Sequence, residues 1–117
     1  MRLGIMFDAQ DGMTWERWKF LTARVEDLGY ESLWRSDHLF SIVGQLQRPA
    51  LEAWVSLAYL ATGTKRIRFG TLVSPMTFRH PSLLALTSAA VDVLSGGRLE
   101  VGLGAGWESA EHGLFWV

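Results

Sequence analysis

The sequence predicts an α/β fold built on a parallel sheet, and three observations support this prediction. Four short apolar runs rich in β-branched and aromatic residues occur at residues 3–7, 32–35, 66–73 and 99–104. The three intervals between them show apolar residues at helical spacing, and unusual polar side chains follow the end of each run. Strands that alternate with helices pair in parallel through right-handed crossovers. The expected element order is therefore βαβαβαβ.

The first interval contains the best-marked helix. Thr14 is suited to the N-cap position, and Gly29 is suited to the position just beyond the carboxyl end. Between them the apolar side chains follow the helical spacing, at Trp18, Leu21, Val25 and Leu28. This pattern predicts an amphipathic helix.

The second and third intervals predict two further amphipathic helices. The second helix closes near Thr62-Gly63, and its apolar positions are Leu51, Trp54, Val55 and Ala58. The third begins at Pro81, a residue favoured at the first helical position, and ends at Gly96-Gly97. Its apolar positions are Leu83, Leu86, Ala90 and Leu94.

Two architectures are compatible with this order. A doubly wound open sheet places helices on both faces, whereas a (β/α)8 barrel places all helices outside and takes roughly 250 residues. A chain of 117 residues forms one domain at most, and four strands are half of a barrel. The polar loops cluster at one end of the predicted sheet, and the longest of them, residues 36–50, lies at that end. We therefore expect a four-stranded sheet in the order 1-2-3-4 with its helices on one face.

The composition excludes several classes of partner. The net charge is −1 and the basic residues are scattered, which leaves no basic stripe for a nucleic acid. The absence of cysteine and the wide separation of the three histidines argue against disulfides, thiolate chemistry and a metal site. No apolar run has the length of a membrane span, and Asp8 comes too early for a signal-peptide core. We expect a cytoplasmic protein without metal, membrane or nucleic-acid partners.

Two segments at the polar end carry residues suited to chemistry. Asp37-His38 follows the second strand, where an imidazole can move a proton near neutral pH, although a loop cap is the alternative reading. Gly102, Gly104 and Gly106 lack the spacing of a dinucleotide or P-loop fingerprint. They fit either a cofactor contact or crowded neighbouring strands, with a turn of positive φ at Gly106.

Other polar residues have simple structural interpretations. Arg79, after the third strand, can bind an anionic group or remain a solvated arginine, and His80 can cap the helix that begins at Pro81. Glu52 and Glu111 are most simply solvated carboxylates.

Several motifs, in order along the chain, resemble the amino-terminal half of a luciferase-like monooxygenase. They occupy residues 33–40, 51–58, 66–73, 79–81 and 92–107 and together cover nearly the whole chain. The Gly-Ala-Gly-Trp run at 104–107, followed by Glu111-His112, is similar to the branch that uses the deazaflavin coenzyme F-420. Family members continue into a fourth helix and four more strand–helix units. The resemblance implies half of a (β/α)8 TIM barrel, truncated and forming a single domain over residues 1–117 without that fourth helix.

The resemblance implies catalytic roles for two residues. His38 matches the histidine that donates or accepts a proton near the redox-active ring. Asp37 would hydrogen-bond the ring edge or orient His38. Some relatives carry a catalytic glutamate directly after the glycine loop, where this chain has Trp107.

The resemblance also implies a cofactor-binding surface. Leu72-Val73 match a pair that forms a non-proline cis peptide, a bulge pressed against the ring. The loop whose backbone lies against the coenzyme corresponds to Gly104-Ala105-Gly106. Apart from the resemblance, Trp107 can form a wall for a cofactor ring or, in a chain with six tryptophans, belong to the core.

The leading expectation is an oxidoreductase in which hydride passes between coenzyme F-420 and a small organic substrate. An FMN-dependent monooxygenase is the alternative within enzymes, and a catalytically inactive half-barrel is the alternative outside them. We also expect self-association, as a homo-oligomer or with a complementary half-barrel, because an apolar inner sheet face would be exposed. The side chains assigned to that face are Ile5, Phe7, Phe69, Val73 and Val101.

Overall fold

A computed structural model describes residues 1–45 and 47–115. Its four strands pair in parallel in the order β1-β2-β3-β4, as predicted. They are β1 (Gly4–Phe7), β2 (Ser32–Arg35), β3 (Arg68–Pro75) and β4 (Leu99–Gly104). No helix within these residues is long and apolar enough to cross a membrane.

Four helices connect or follow the strands: α1 (Trp15–Asp27), α2 (Ala53–Gly63), α3 (Pro81–Ser95) and α4 (Ser109–Phe115). The expectation that the chain ends without a fourth helix is wrong. A short helix follows β4, and its first turn begins just after the glycine loop. The last two residues, Trp116 and Val117, lie outside the described residues.

The predicted helix ends are confirmed where local chemistry sets them. The Thr14 hydroxyl accepts a hydrogen bond from the Arg17 amide at 3.2 Å, and His80 Nδ1 accepts one from the Ser82 amide at 3.3 Å. Gly96 adopts a left-handed φ of 71° at the end of α3, a conformation that suits glycine.

The three long helices cover one face of the sheet, which confirms the barrel-like arrangement. Ile5, Leu33, Phe69 and Leu99 stand in register across the four strands and therefore point to the same side. These four side chains belong to or pack against the single hydrophobic core, to which the helices contribute Trp18, Val25, Leu57, Leu60, Leu84 and Val91.

The predicted lining of the inner face is wrong for most of its members. Ile5 and Phe69 face the helices, as does Phe7, whose ring meets Trp18 edge-on at a centroid distance of 6.1 Å. Val101 also points to the helix side, where it is exposed because β4 is an edge strand. The inner face instead carries Gly4, Met6, Ser32, Trp34 and Gly70, together with an ion pair between Arg68 and Glu100. A one-residue shift in the assumed alternation moves every side chain to the opposite face.

The predicted apolar face of α3 is also wrong. Leu83, Leu86 and Leu94 are exposed, whereas Leu84 and Val91 enter the core. In α2, Val55 was likewise assigned to the apolar face and is exposed. Both helices carry apolar residues around most of their circumference, so periodicity could not identify the side that meets the sheet.

The pairing of β3 with β4 contains a bulge. Thr71 pairs with Val101 and Ser74 with Leu103, so β3 advances three residues where β4 advances two. The peptide between Leu72 and Val73, inside this bulge, is cis, as predicted.

Gly104 on β4 makes room for the bulge. A Cβ at this position would lie 2.4 Å from Val73 Cγ2, and one at Gly102 would lie 2.3 Å from the Thr71 carbonyl oxygen. Glycine is therefore required at both positions because the neighbouring strands leave no room for a side chain. This was one of the two interpretations of the glycine run.

Candidate active site

The carboxyl ends of the strands surround a cleft of about 340 Å³. Such a volume is in the usual range for small-molecule sites, roughly 300–1,000 Å³. The walls come from loops that are distant in sequence: Met6, Asp8, Ser36, Asp37, His38, Ile42, Leu72, Val73, Pro75, Phe78, Gly106, Trp107 and Glu111. The predicted clustering of polar residues at one end of the sheet is confirmed. Gly104 and Ala105 are not among the lining residues.

His38 lies at the centre of the polar part of this wall. Its side chain is 12% exposed, and its Nδ1 atom lies 2.8 Å from Glu111 Oε2. The indole of Trp107 meets the imidazole edge-on at a centroid distance of 6.1 Å and is itself largely exposed. His38 is thus held on one side and borders the cleft on the other.

Glu111 is a functional residue that the sequence reasoning missed, and its interpretation as a solvated carboxylate is wrong. It is fully buried, and its Oε1 atom accepts a hydrogen bond of 2.6 Å from the Leu39 amide. The contact with His38 joins residues 73 positions apart. The sequence drew attention to the Glu111-His112 pair only through the family resemblance. Glu111 reaches the cleft because α4 brings it there, which the sequence did not indicate.

Asp37 belongs to the wall of the cleft, where its fully buried side chain is held by Arg79. Arg79 donates to both Asp37 oxygens, at 2.5 and 3.1 Å, and to Glu52 at 2.6 Å, while the Ser74 hydroxyl donates to Asp37 at 2.7 Å. Burial alone lowers the pKa of Arg79, but the hydrogen bonds and charges of Asp37 and Glu52 outweigh it and raise the pKa above its ordinary value.

These contacts correct three expectations. Arg79 is paired with two carboxylates and its side chain is only 16% exposed, so it is neither a free anion site nor the solvated arginine that was the other reading. Glu52 is not simply solvated, because it also caps α2 by accepting from the Val55 amide at 2.7 Å. Asp37 does not orient His38, since its oxygens bind Ser74 and Arg79 and the imidazole is bound by Glu111.

Arg35, fully buried at the end of β2, fixes the loop that carries His38. Its guanidinium donates to the carbonyl oxygens of Ser36 and Leu51, at 2.8 and 3.0 Å, and to the Ser56 hydroxyl at 2.5 Å. Burial lowers the pKa of Arg35 to about 10, against the attraction of nearby carboxylates. It remains charged at neutral pH and ties the loop to the start of α2.

His112 anchors α4 independently of His38. Its Nε2 atom lies 2.8 Å from the Thr77 hydroxyl, and its Nδ1 atom lies 2.8 Å from the Glu108 carbonyl oxygen. Gly106 turns beneath it with a φ of +81°, as predicted from the glycine run, and a Cβ there would come within 3.1 Å of the imidazole.

The lining is mostly apolar, and its polar side chains are one histidine, one serine and the three carboxylates of Asp8, Asp37 and Glu111. Met6, Leu72, Val73, Phe78 and Trp107 supply flat or aliphatic surface, and His38 supplies a titratable nitrogen. None of the described residues in the lining is a lysine or an arginine. Across residues 1–45 and 47–115, no three histidine, aspartate or glutamate side chains group together in a way that could hold a metal ion.

Comparison with known proteins shows which family the sequence of this chain matches. The model of the luciferase-like monooxygenase family matches residues 1–116. The 4-hydroxyprotoasukamycin monooxygenase of Streptomyces nodosus subsp. asukaensis is 37% identical over 82 residues, which are 70% of this chain and 21% of that protein. The F420-dependent glucose-6-phosphate dehydrogenase of Amycolatopsis mediterranei (strain U-32) is 36% identical over 85 residues, 71% of this chain and 25% of that protein.

A solved structure supports the same relation. The monooxygenase RslO1 of Streptomyces bottropensis superposes with a TM-score of 0.84 and 27% identity, over 100% of this chain and 37% of that one. The chain thus spans between a fifth and a quarter of the two curated relatives.

Proposed function

Because this chain belongs to the luciferase-like monooxygenase family, we propose that its cleft binds the ring of the deazaflavin coenzyme F-420 and supports hydride transfer to or from a small organic substrate. The observation that carries the proposal is His38, whose imidazole borders a cleft with apolar walls and is held from behind by a buried carboxylate. One of the relatives is named as F420-dependent, which favours this coenzyme.

The residues present fit a flat ring better than a charged tail. Aliphatic and aromatic side chains on the wall can contact the faces of a ring, and the imidazole can reach its edge or a substrate placed on it. In the part of the chain that the structure describes, no lysine or arginine lines the cleft, and Arg79 beside it is already paired with two carboxylates. In this proposal the described residues bind the ring and leave the phosphate tail uncontacted.

Each lining group has a proposed task. Leu72 and Val73 present the bulge to the ring, Gly104 supports Val73 from behind, and Trp107 closes one side of the cleft. The glycine loop that includes Ala105 brings Gly106 and Trp107 to the wall. When bound, the deazaflavin ring supplies or accepts a hydride.

His38 handles the proton that accompanies the hydride. In the oxidation of an alcohol, a C–H bond gives up the hydride and Nε2 of His38 accepts the hydroxyl proton. In the reverse direction Nε2 returns that proton. Asp37 supports the loop in this scheme and does not touch the reacting atoms.

An FMN-dependent monooxygenase is the second candidate, favoured by the monooxygenases among the similar proteins. Both candidates use a flat tricyclic ring, so the apolar wall fits either one. They differ in the co-reactant, because a flavin monooxygenase needs molecular oxygen.

Titration of the full chain with coenzyme F-420 and, separately, with FMN tests the proposal. Cofactor absorbance and fluorescence report binding, and we expect F-420 to bind more tightly. Tighter FMN binding would transfer the proposal to the monooxygenase reading. Binding of neither would overturn it and favour a catalytically inactive chain.

A further inference from the structure

We infer that Glu111 is the positioning residue that fixes the tautomer and orientation of His38, so that Nε2 faces the cleft as an unprotonated base. The catalytic consequence rests on the proposed function, but the tautomer itself is a property of the protein alone. Glu111 lies on α4 and His38 on the loop after β2, so the pair joins these two elements at the cleft.

The hydrogen bonds of Glu111 determine the tautomer. Its Oε1 atom accepts from the Leu39 amide at 2.6 Å, and its Oε2 atom lies 2.8 Å from His38 Nδ1. An ionised carboxylate only accepts hydrogen bonds, so Nδ1 must carry the proton that lies between them. In the neutral imidazole the lone pair is then on Nε2.

Burial makes this arrangement specific. The Glu111 side chain is 1% exposed, and a buried carboxylate is tolerated only where donors satisfy it. The Leu39 amide and His38 Nδ1 are its two donors, and no other titratable side chain in the described residues bonds to it. The nearby charges of Asp37, Arg79 and Glu52 are directed at one another. Among the described residues, Glu111 is therefore the charged group in direct contact with His38 Nδ1.

Nε2 of His38 is the imidazole nitrogen that Glu111 does not contact. Within residues 1–45 and 47–115 it makes no hydrogen bond, and every buried side-chain nitrogen and oxygen there has a partner. Nε2 is therefore accessible to solvent, and the residue lines the cleft. A base in this position can accept a proton from a bound molecule.

Docking of α4 does not require the Glu111–His38 contact. His112 already anchors the helix through the Thr77 hydroxyl, and its ring packs against Phe78 at a centroid distance of 5.7 Å. Glu111 contacts the loop of His38 instead. Glu108, whose carboxylate accepts a hydrogen bond from the Ala110 amide at 3.0 Å, therefore provides a matched carboxylate-to-amide control that leaves this anchor in place.

The test uses Glu111→Gln in the full chain. The amide keeps the size of the side chain and can accept from Leu39 through its oxygen, but it then offers an N–H to His38 Nδ1. The imidazole must move its proton to Nε2 to satisfy this donor. ¹⁵N NMR of the imidazole nitrogens, at an alkaline pH where the ring is neutral, reports the tautomer directly.

We expect Nδ1–H in the wild type, Nε2–H in Glu111→Gln, and the wild-type tautomer in Glu108→Gln. With a coenzyme and substrate that support turnover, Glu111→Gln should lower kcat by about 10²-fold or more with little change in KM. Glu108→Gln should retain most of kcat.

Two outcomes overturn the inference. The first is Nε2–H in the wild-type neutral imidazole, which decides the matter even if the variant does not fold. The second is wild-type kcat in a folded Glu111→Gln variant. Failure of both coenzymes to bind would overturn the proposed function alone, because the wild-type tautomer would still be measured.

Discussion

At the scale of single residues, the cleft depends on side chains whose environments differ sharply from what their types suggest. Glu111 and Asp37 are both buried in the wall of the cleft, where Glu111 pairs with His38 and Asp37 pairs with Arg79. His38 is the group that combines a fixed nitrogen with an accessible one. Substitutions at this scale must therefore separate the loss of Nε2 from the loss of a partner for Glu111.

His38→Asn should abolish hydride transfer while preserving the fold. The asparagine amide can still donate to Glu111, but the base at Nε2 is gone, and loss of a general base costs about 10²–10⁴-fold in rate. Turnover assays and far-UV circular dichroism provide the measurements.

His38→Ala should in addition lower the unfolding free energy by about 1–3 kcal/mol, because Glu111 loses a donor. His80→Asn, at the cap of α3, should keep activity; wild-type turnover in His38→Asn would exclude a catalytic His38.

Gly104→Ala should destabilise the chain and displace the bulge. The added Cβ would lie 2.4 Å from Val73 Cγ2, and overpacking of this kind costs about 1–3 kcal/mol. Gly113→Ala is the control, because a Cβ there meets nothing within 4 Å and the residue lies in α4. That control should be neutral or stabilising by up to about 1 kcal/mol. Equal urea midpoints for the two variants would contradict the crowding argument.

At the scale of elements, the turn between α2 and β3 is joined to α1 by one carboxylate. Glu26, near the end of α1, accepts hydrogen bonds from the backbone amides of Lys65, Arg66 and Ile67 at 2.6–3.0 Å. Partial burial raises the pKa of Glu26, but the three amides outweigh it, with a smaller contribution from the charge of Arg98, and hold the pKa below its ordinary value.

Glu26→Gln should remove a pH-dependent part of the stability. A carboxyl whose pKa is lowered on folding stabilises the fold above its unfolded pKa, and this stabilisation is lost as pH falls through the folded pKa. At neutral pH the variant should be less stable by about 1 kcal/mol, since solvent screening reduces the contribution of these hydrogen bonds. The difference should shrink in acid. Urea unfolding at several pH values measures it, and the exposed Glu16→Gln is the control; a pH-independent difference would refute the role of the charge.

At the scale of the whole molecule, the exposed apolar surface is not where the sequence suggested. The inner face of the sheet is mixed, with glycines, Ser32 and the Arg68–Glu100 pair. An apolar groove lies instead on the outside, between α2 and α3, and we name it the α2–α3 face. Its lining lacks charged residues: Trp54, Val55, Ala58, Leu86, Thr87, Ala90, Val91 and Leu94.

Self-association should therefore use the α2–α3 face. A second copy can bury the same uncharged groove, whereas the inner face would have to desolvate an ion pair. Light scattering across a dilution series should give a dimer for the wild type and a monomer for Leu86→Glu. Phe20→Glu is the control, because Phe20 on α1 is similarly exposed, 64% against 69% for Leu86, and lies among polar residues. A wild-type monomer at every concentration, or equal masses for the two variants, would contradict this prediction.

The sequence by itself determined the elements that depend on local chemistry. Strand runs, the helix caps at Thr14 and His80, and the polar end of the sheet follow from spacing and turn residues. The cis peptide at Leu72–Val73 followed from the resemblance, because the motif around it matches over consecutive residues.

The tertiary structure alone decided which faces meet and which side chains pair. Side chains alternate between the two faces of a strand, and both faces of a parallel sheet can be apolar. The sequence alone therefore could not decide which face carries Phe69. Leu84 is buried and Leu86 is exposed because of the way α3 is rotated about its axis when it packs on the sheet. The Glu111–His38 pair spans 73 positions, and such a contact exists only once α4 has docked against the loop after β2.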